Sequence, residues 1–347
     1  VKIGYLLPTR DQVVRGDDDL AKLVDHARHA EALGFDSVWA GDSPLTRPRA
    51  DPLMLLSAVA VAAPRLTLGT AMLLPTLRHP ILMAHQLATL DRLAGGRLIV
   101  GMGAGFPTPG TEAQFDAVGV PFRTRFSRLE ESIEVMRRLW SGKNVSFTGR
   151  HFDFHDVTLM PAPARPGGPP VWLAGGGGPS LERVARLGDG WLPYPPDVAD
   201  YARERAAVDR TAARPVTAAL YATLCLDDDP AHARRLLRES IEPYYNAPLE
   251  MVERIQAMYA GRPADTAAWL NAYIGAGARH LVIRLATDDH RAAMDDFAAR
   301  VLPLLDGSSS ILGGRQEGCA GGNEHEYAPE PAGTHQGDHG SPGRGGA

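Results

Sequence analysis

The stretch from Val171 to Ser180, VWLAGGGGPS, runs from a short apolar segment straight into four glycines, a proline and a serine. Val171, Trp172 and Leu173 suit a buried strand, and Leu181, Val184, Ala185 and Leu187 then recur at helical spacing. The glycines therefore sit between a strand and a helix. Glycine lets consecutive N–H groups converge on one point, and a helix N-terminus adds partial positive charge, so such a turn suits a phosphate, with Ser180 adding a hydroxyl donor. Taken alone, the same glycines equally describe a flexible strand-to-helix turn. The rest of the chain has to decide between the two.

Outward from this point, strand-like runs alternate with amphipathic helical ones along the whole apolar part of the chain. Eight strands are expected, near Lys2–Leu7, Asp36–Ala40, Leu66–Thr70, Leu98–Met102, Val171–Ala174, Gly190–Pro193, Val216–Leu226 and His280–Leu285. Between them, Leu20, Leu23, Val24, Ala27, Ala30 and Leu33 mark one helix, which begins after the acidic Asp17–Asp19 and stops at Gly34. Pro80 opens another, which Gly95 and Gly96 close, and Leu129, Ile133, Met136, Leu139 and Trp140 mark a third. Eight β-α units in a chain of this length indicate an α/β fold of the TIM (β/α)8 barrel type with insertions, ahead of an open doubly wound sheet.

Composition agrees with one large domain. The chain has 347 residues, 44% of them hydrophobic, and a net charge of −5 with no basic run, so neither nucleic acid nor an anionic membrane surface is an expected partner. No apolar stretch reaches transmembrane length, and the opening VKIGYLLP reads as a strand and not as a signal peptide, which makes a cytoplasmic location the expectation. The two cysteines, Cys225 in an expected strand and Cys319 near the end, do not make a disulfide framework.

In a barrel, function belongs to the loops after the strands. That rule puts Arg10, Asp42, Ser43, Arg47, Arg49, Thr70, His79, Phe106, Ser180, Tyr194 and Arg284 on or near the functional face. Two long loops share that face. Gly103–Arg125 starts too irregularly for a helix and forms pocket wall or lid, and Asp227–Gly277 caps the mouth or makes a subunit contact, as in a homodimer. At the opposite end, Gly142–Pro170 alternates like a hairpin turning at Thr148 and Gly149. His151 and His155 fall there without a third ligand nearby, so no metal site is expected. Residues 1–306 are thus read as the barrel domain, and Gly307–Ala347, rich in Gly, Pro, Ser, Glu and His, as a disordered tail.

Six segments in order carry a family resemblance: AEALGFDSVWAGD, DPLMLLSAVAVAAPRLTLGTAMLLPTLRHP, LATLDRLAGGRLIVGMGAGF, GVPF followed by EESIEVMRRLW, FTGRHF, and PPVWLAGGGGPSLERVARLGDGW. The chain resembles the bacterial luciferase-like monooxygenase superfamily, with its deazaflavin-dependent branch. The likeness runs from about Lys2 to Trp191, weakens to Leu305 and stops at the tail. It implies a luciferase-like TIM barrel that binds FMN or coenzyme F420 in its mouth. By the same resemblance, Gly175, Gly176, Gly177, Gly178 and Ser180 would hold the cofactor phosphate. Asp42, in Trp39-Ala40-Gly41-Asp42, would stand near the ring. The LGTAML turn, with Thr70, Ala71 and Met72, would lie behind that ring and carry a non-proline cis peptide between Ala71 and Met72.

The chain also departs from that family. Ser43 stands where deazaflavin-dependent members have histidine, and Phe106 where they have a glutamate, so two acids are missing. His79 is the nearest replacement by topology, and the same histidine also reads as a helix cap ahead of Pro80. Asp42 and His79 are thus the candidate catalytic residues. The expected function is hydride transfer between coenzyme F420 and a small organic substrate. The alternatives are an FMN monooxygenase using oxygen and, ranked last, a non-catalytic cofactor carrier.

Overall fold

The structure is a computed structural model that describes residues 1–307. The expected tail, apart from Gly307 itself, lies outside the described residues. In chain order the strands are β1 (Lys2–Leu6), β2 (Ser37–Ala40), β3 (Thr67–Thr70), β4 (Leu98–Met102), β5 (Asn144–Thr148), β6 (Asp153–Thr158), β7 (Val171–Leu173), β8 (Gly190–Trp191), β9 (Thr217–Leu226), β10 (Met258–Gly261) and β11 (His280–Leu285). The α-helices are α1 (Thr9–Arg15), α2 (Ala21–Ala32), α3 (Pro52–Ala62), α4 (Pro80–Leu93), α5 (Pro109–Ala117), α6 (Arg125–Leu139), α7 (Gly178–Leu187), α8 (Val198–Thr211), α9 (Pro230–Tyr245), α10 (Leu249–Val252), α11 (Pro263–Gly275) and α12 (His290–Arg300).

The strands β1, β2, β3, β4, β7, β8, β9 and β11 pair in parallel all the way round and return to β1, which closes a TIM barrel. These are the eight expected strands. The β11 and β4 boundaries coincide with expectation, whereas β8 stops two residues early. The reason lies in the remaining parallel strand. β10 pairs with Thr223–Leu226, the distal half of β9, and so enters the seam where β8 has ended. The chain past β8 still bonds across that seam, with Pro193 accepting from Tyr221 N at 2.8 Å and Tyr194 from Ala257 N at 2.8 Å.

The larger apolar core fills the space between the strands and the surrounding helices. A second cluster, of Leu6, Trp39, Trp172, Leu192, Ala219, Tyr221 and Val282, plugs the barrel itself. Below it, His280 shares a 2.8 Å hydrogen bond with Ser37 and lies edge-on to both Trp39 and Trp172. Helix starts follow local chemistry. Asp51 caps α3 ahead of Pro52, accepting from Leu53 N and Met54 N at 2.9 and 3.1 Å, and Asp197 and Asp229 cap α8 and α9. The hairpin β5–β6 forms as expected, with a bulge and a turn that runs on to Phe152. His151 there bonds Ser127 at 2.8 Å, and His155 is exposed beside Asp153. No described helix is long and apolar enough to cross a membrane.

Candidate active site

A cavity of about 550 Å³ opens at the C-terminal ends of the barrel strands. Its floor is the top of the barrel plug, since Leu6, Ala71, Met72, Leu192, Tyr194 and Tyr221 belong to both. The loops after β2, β4 and β7 form much of the wall, and the segment between β9 and β11 supplies Tyr244, Tyr245, Ile255 and Gln256.

At one end stands the glycine loop. Gly175, Gly176 and Ser180 line the cavity, whereas Gly177 and Gly178 do not. Gly175 and Gly177 have φ of 120° and 77°, a backbone that disfavours side chains, and α7 starts directly after them. Trp191 fixes the loop by donating to Gly175 O at 2.8 Å. Beside it stands Arg183, absent from the expected site although it lies one helical turn beyond Ser180. Its Nε donates to Glu130 at 2.8 Å, and its guanidinium covers the Phe126 ring at 4.6 Å, so a fixed cation borders the loop. A carboxylate is present as well. Gly177 N donates to Glu204 Oε1 at 2.9 Å, which occupies one of the amides that the glycine turn offers.

Asp42 lines the cavity, its side chain only 3% exposed, and is fully engaged. Arg78 grips it through two hydrogen bonds of 2.6 and 3.1 Å, and Leu74 N donates to it at 3.0 Å. The same Arg78 reaches Asp51 at 3.1 Å. Burial works against the Arg78 charge, yet Asp42 and Asp51 outweigh it and hold that guanidinium above its ordinary value. The function of this knot is local. It ties the end of β2 to the turn after β3, where the peptide between Ala71 and Met72 is cis. Ala71 and Met72 both face the cavity. Thr70 does not, because its hydroxyl turns to Gly101 O at 2.8 Å.

His79 is the main correction to the expected site. Its Nδ1 accepts from Ile81 N at 3.3 Å, so the histidine caps α4, and its ring packs edge-on against Phe152, 5.5 Å between centroids. It does not line the cavity. Pro80 enforces the cap, since a residue before proline is held extended. Arg284 is likewise set back from the lining. It is buried against Asp11 at 2.7 Å and lies over the Tyr244 ring at 4.1 Å.

Ser43 and Phe106 do line the cavity. Gln114 braces the Ser43 loop to α5, its Oε1 accepting from Leu45 N and Thr46 N at 3.0 and 3.1 Å. The irregular start expected of the loop after β4 lasts only as far as Thr108, which caps α5 ahead of Pro109. The groups left to exchange protons with a ligand are chiefly tyrosines. Burial, with Tyr244 next, pushes the Tyr245 hydroxyl up to about 12; burial also raises Tyr194 and Tyr221. These hydroxyls stay protonated at neutral pH and serve as donors.

Fold and site together define an α/β barrel enzyme scaffold, with an apolar-floored cavity at the strand ends and a glycine turn opening a helix beside it. The chain belongs to the luciferase-like monooxygenase family, whose model matches residues 1–290. It is 31% identical over 340 residues to the F420-dependent glucose-6-phosphate dehydrogenase of Kineococcus radiotolerans, covering 88% of this chain and 97% of that one. It is also 31% identical over 310 residues to the F420-dependent hydroxymycolic acid dehydrogenase of Mycobacterium tuberculosis, covering 82% and 84%. Among solved structures, a monooxygenase from Streptomyces bottropensis superposes with a TM-score of 0.75 at 24% identity, covering 87% of this chain and 99% of that one, a likeness of fold.

Proposed function

We propose that the protein is an F420-dependent oxidoreductase that transfers a hydride between coenzyme F420 and a small organic substrate at the barrel mouth. The observation that carries this reading is the coincidence, in one cavity, of a glycine turn with a fixed cation and an apolar floor that includes Ala71 and Met72. The F420-dependent relatives point to the same cofactor. Gly175, Gly176, Ser180 and Arg183 would hold its phosphate, and Leu6, Ala71, Met72, Leu173 and Leu192 would pack its ring. Bound there, F420 supplies the hydride donor or acceptor.

The residues of this chain then position the substrate and manage the proton. Asp42 is committed to Arg78 and Leu74, so its part is to hold the turn beneath the ring. Tyr194 stands just past the end of β8, its hydroxyl without a hydrogen-bond partner among the described residues and its pKa raised by burial, and is the group to give a proton to a substrate oxygen. With donors in plenty and no free carboxylate or histidine in the lining, the cavity suits reduction of a carbonyl better than abstraction of a hydroxyl proton.

A homodimer and a cytoplasmic location remain part of this reading. The dimer is supported by α3, which keeps Met54 and Val61 73% exposed each on a helix that is apolar almost throughout.

The deciding experiment is a side-by-side titration with F420 and FMN, each followed by anaerobic turnover with carbonyl substrates and by oxygen uptake. Tight F420 binding with oxygen-independent turnover is expected. Tight FMN binding with oxygen-dependent product would replace this reading with the monooxygenase one.

A further inference from the structure

Three arginines around the site have carboxylate partners: Arg78 has Asp42 and Asp51, Arg183 has Glu130, and Arg284 has Asp11. Three others gather on the opposite side of the mouth without one. Arg47 and Arg49 line the cavity, and Arg10 stands close enough for both to act on its charge. Among the described residues, none of the three has a carboxylate within ion-pair distance.

Their positions are nevertheless fixed. Arg47 lies over the Tyr245 ring at 5.1 Å and Arg49 over the Tyr244 ring at 5.8 Å, and these two rings are themselves 4.8 Å apart. Arg49 Nε donates to Arg47 O at 3.2 Å, and Arg47 N donates to Ser43 at 2.9 Å. Arg10 Nη1 donates to Pro48 O at 3.4 Å, and its buried Nε has no hydrogen-bond partner among the described residues. Burial first, and then Arg49, pulls the Arg10 guanidinium below its ordinary value, as expected where like charges crowd together. A chain with net charge −5 thus holds three adjacent cations at its cavity mouth with donors unspent.

Like charges held together by aromatic stacking, with no carboxylate in ion-pair contact, are stabilised by an anion that arrives with a ligand. The glycine turn and Arg183 already serve one anionic group at the other end. We propose that Arg47 and Arg49, backed by Arg10, recognise an oxyanion on the substrate, either a carboxylate or a phosphate monoester. The inference rests on the proposed function and narrows its substrate class to organic acids and phosphate esters. Arg47 and Arg49 are specificity residues in this scheme, gripping the substrate away from the reacting carbon.

The test uses the full chain loaded with F420 and three probes of one skeleton: glycerol 3-phosphate, glycerate and glycerol. Calorimetry should show binding of one or both anions and none of glycerol, weakening as salt rises. The R47M/R49M variant should lose about tenfold to hundredfold in anion affinity and keep its F420 affinity, read separately by fluorescence. Should the double variant fail to fold, Arg47→Gln alone is expected to lose about fivefold. Equal anion binding by wild type and variant, or none by F420-loaded wild type, would overturn the proposal. So would a variant that loses F420 affinity instead, because the cluster would then serve the cofactor's own anionic groups. Failure of the wild type to take up F420 would overturn the cofactor reading and this inference with it.

Discussion

The Glu204 carboxylate accepts the Gly177 N–H at 2.9 Å, so α8 places a negative charge on the turn that is to receive a phosphate. A half-exposed like charge at such range opposes an anion by about 1 kcal/mol after solvent screening. Replacing Glu204 with Gln keeps a hydrogen-bond acceptor and removes the charge. The E204Q variant should bind F420 roughly fivefold more tightly at low salt, with the gain fading as salt is raised. Fluorescence titration at two ionic strengths measures this, and unchanged affinity would mean that the phosphate sits elsewhere.

Asp42 predicts a stability effect more than a chemical one. Removing its carboxylate leaves Leu74 N without its acceptor and Arg78 with only Asp51. Asp42→Ala should therefore cost about 2–3 kcal/mol in urea denaturation, the low side for breaking a buried pair because Arg78 keeps one partner. Asp42→Asn should cost less. If Asp42→Ala were as stable as wild type, the knot with Arg78 would contribute nothing.

Tyr194 predicts a chemical effect without a structural one. Tyr194→Phe should lower turnover about 10- to 100-fold while F420 affinity and melting temperature stay near wild type. A solvent isotope effect on turnover that disappears in the variant would tie the loss to proton transfer. Full activity in Tyr194→Phe would send the proton role to Tyr221 or Tyr245.

Two buried histidines predict an acid-sensitive fold. Burial holds His280, beside Ser37, down to about 4 and His290, beside Tyr5, down to about 3. Both are neutral when folded and take up protons when unfolded, so stability is full above pH 6.5 and falls as pH drops from there toward those values. Between pH 7 and pH 5 each should cost about 2 kcal/mol, measurable by denaturation at the two pH values. His280→Gln should flatten part of that slope; an identical slope would put the sensitivity elsewhere.

The strands were legible because each is a short apolar run between breakers, and burial on both faces leaves that mark in sequence. β10 left none. MYAG is only half-buried, and it sits inside a stretch dominated by helical periodicity. The glycine turn was legible from residue type alone. The partners that complete the site were not: Arg78 lies 36 residues from Asp42 and Glu204 lies 27 from Gly177, and no local pattern links a long charged side chain to a distant acceptor. His79 shows the reverse hazard, since a histidine before a helix-opening proline looks alike in sequence whether it caps or reacts.

The β10 seam has a consequence for how this barrel is put together. Tyr244, Tyr245, Ile255 and Gln256 all come from the chain between β9 and β10, and α9 and α10 there pack Leu237, Ile241, Leu249 and Val252 into a small core with Cys225 and Ala286. The glycine turn, the cis peptide and the Asp42 knot instead follow β7, β3 and β2, strands of the barrel frame itself. The molecule is thus jointed like a vice, with one jaw cast into the frame and the other a separate insert. Transplanting residues 227–261 from another barrel of this kind would change what is gripped and leave the fixed jaw as it is.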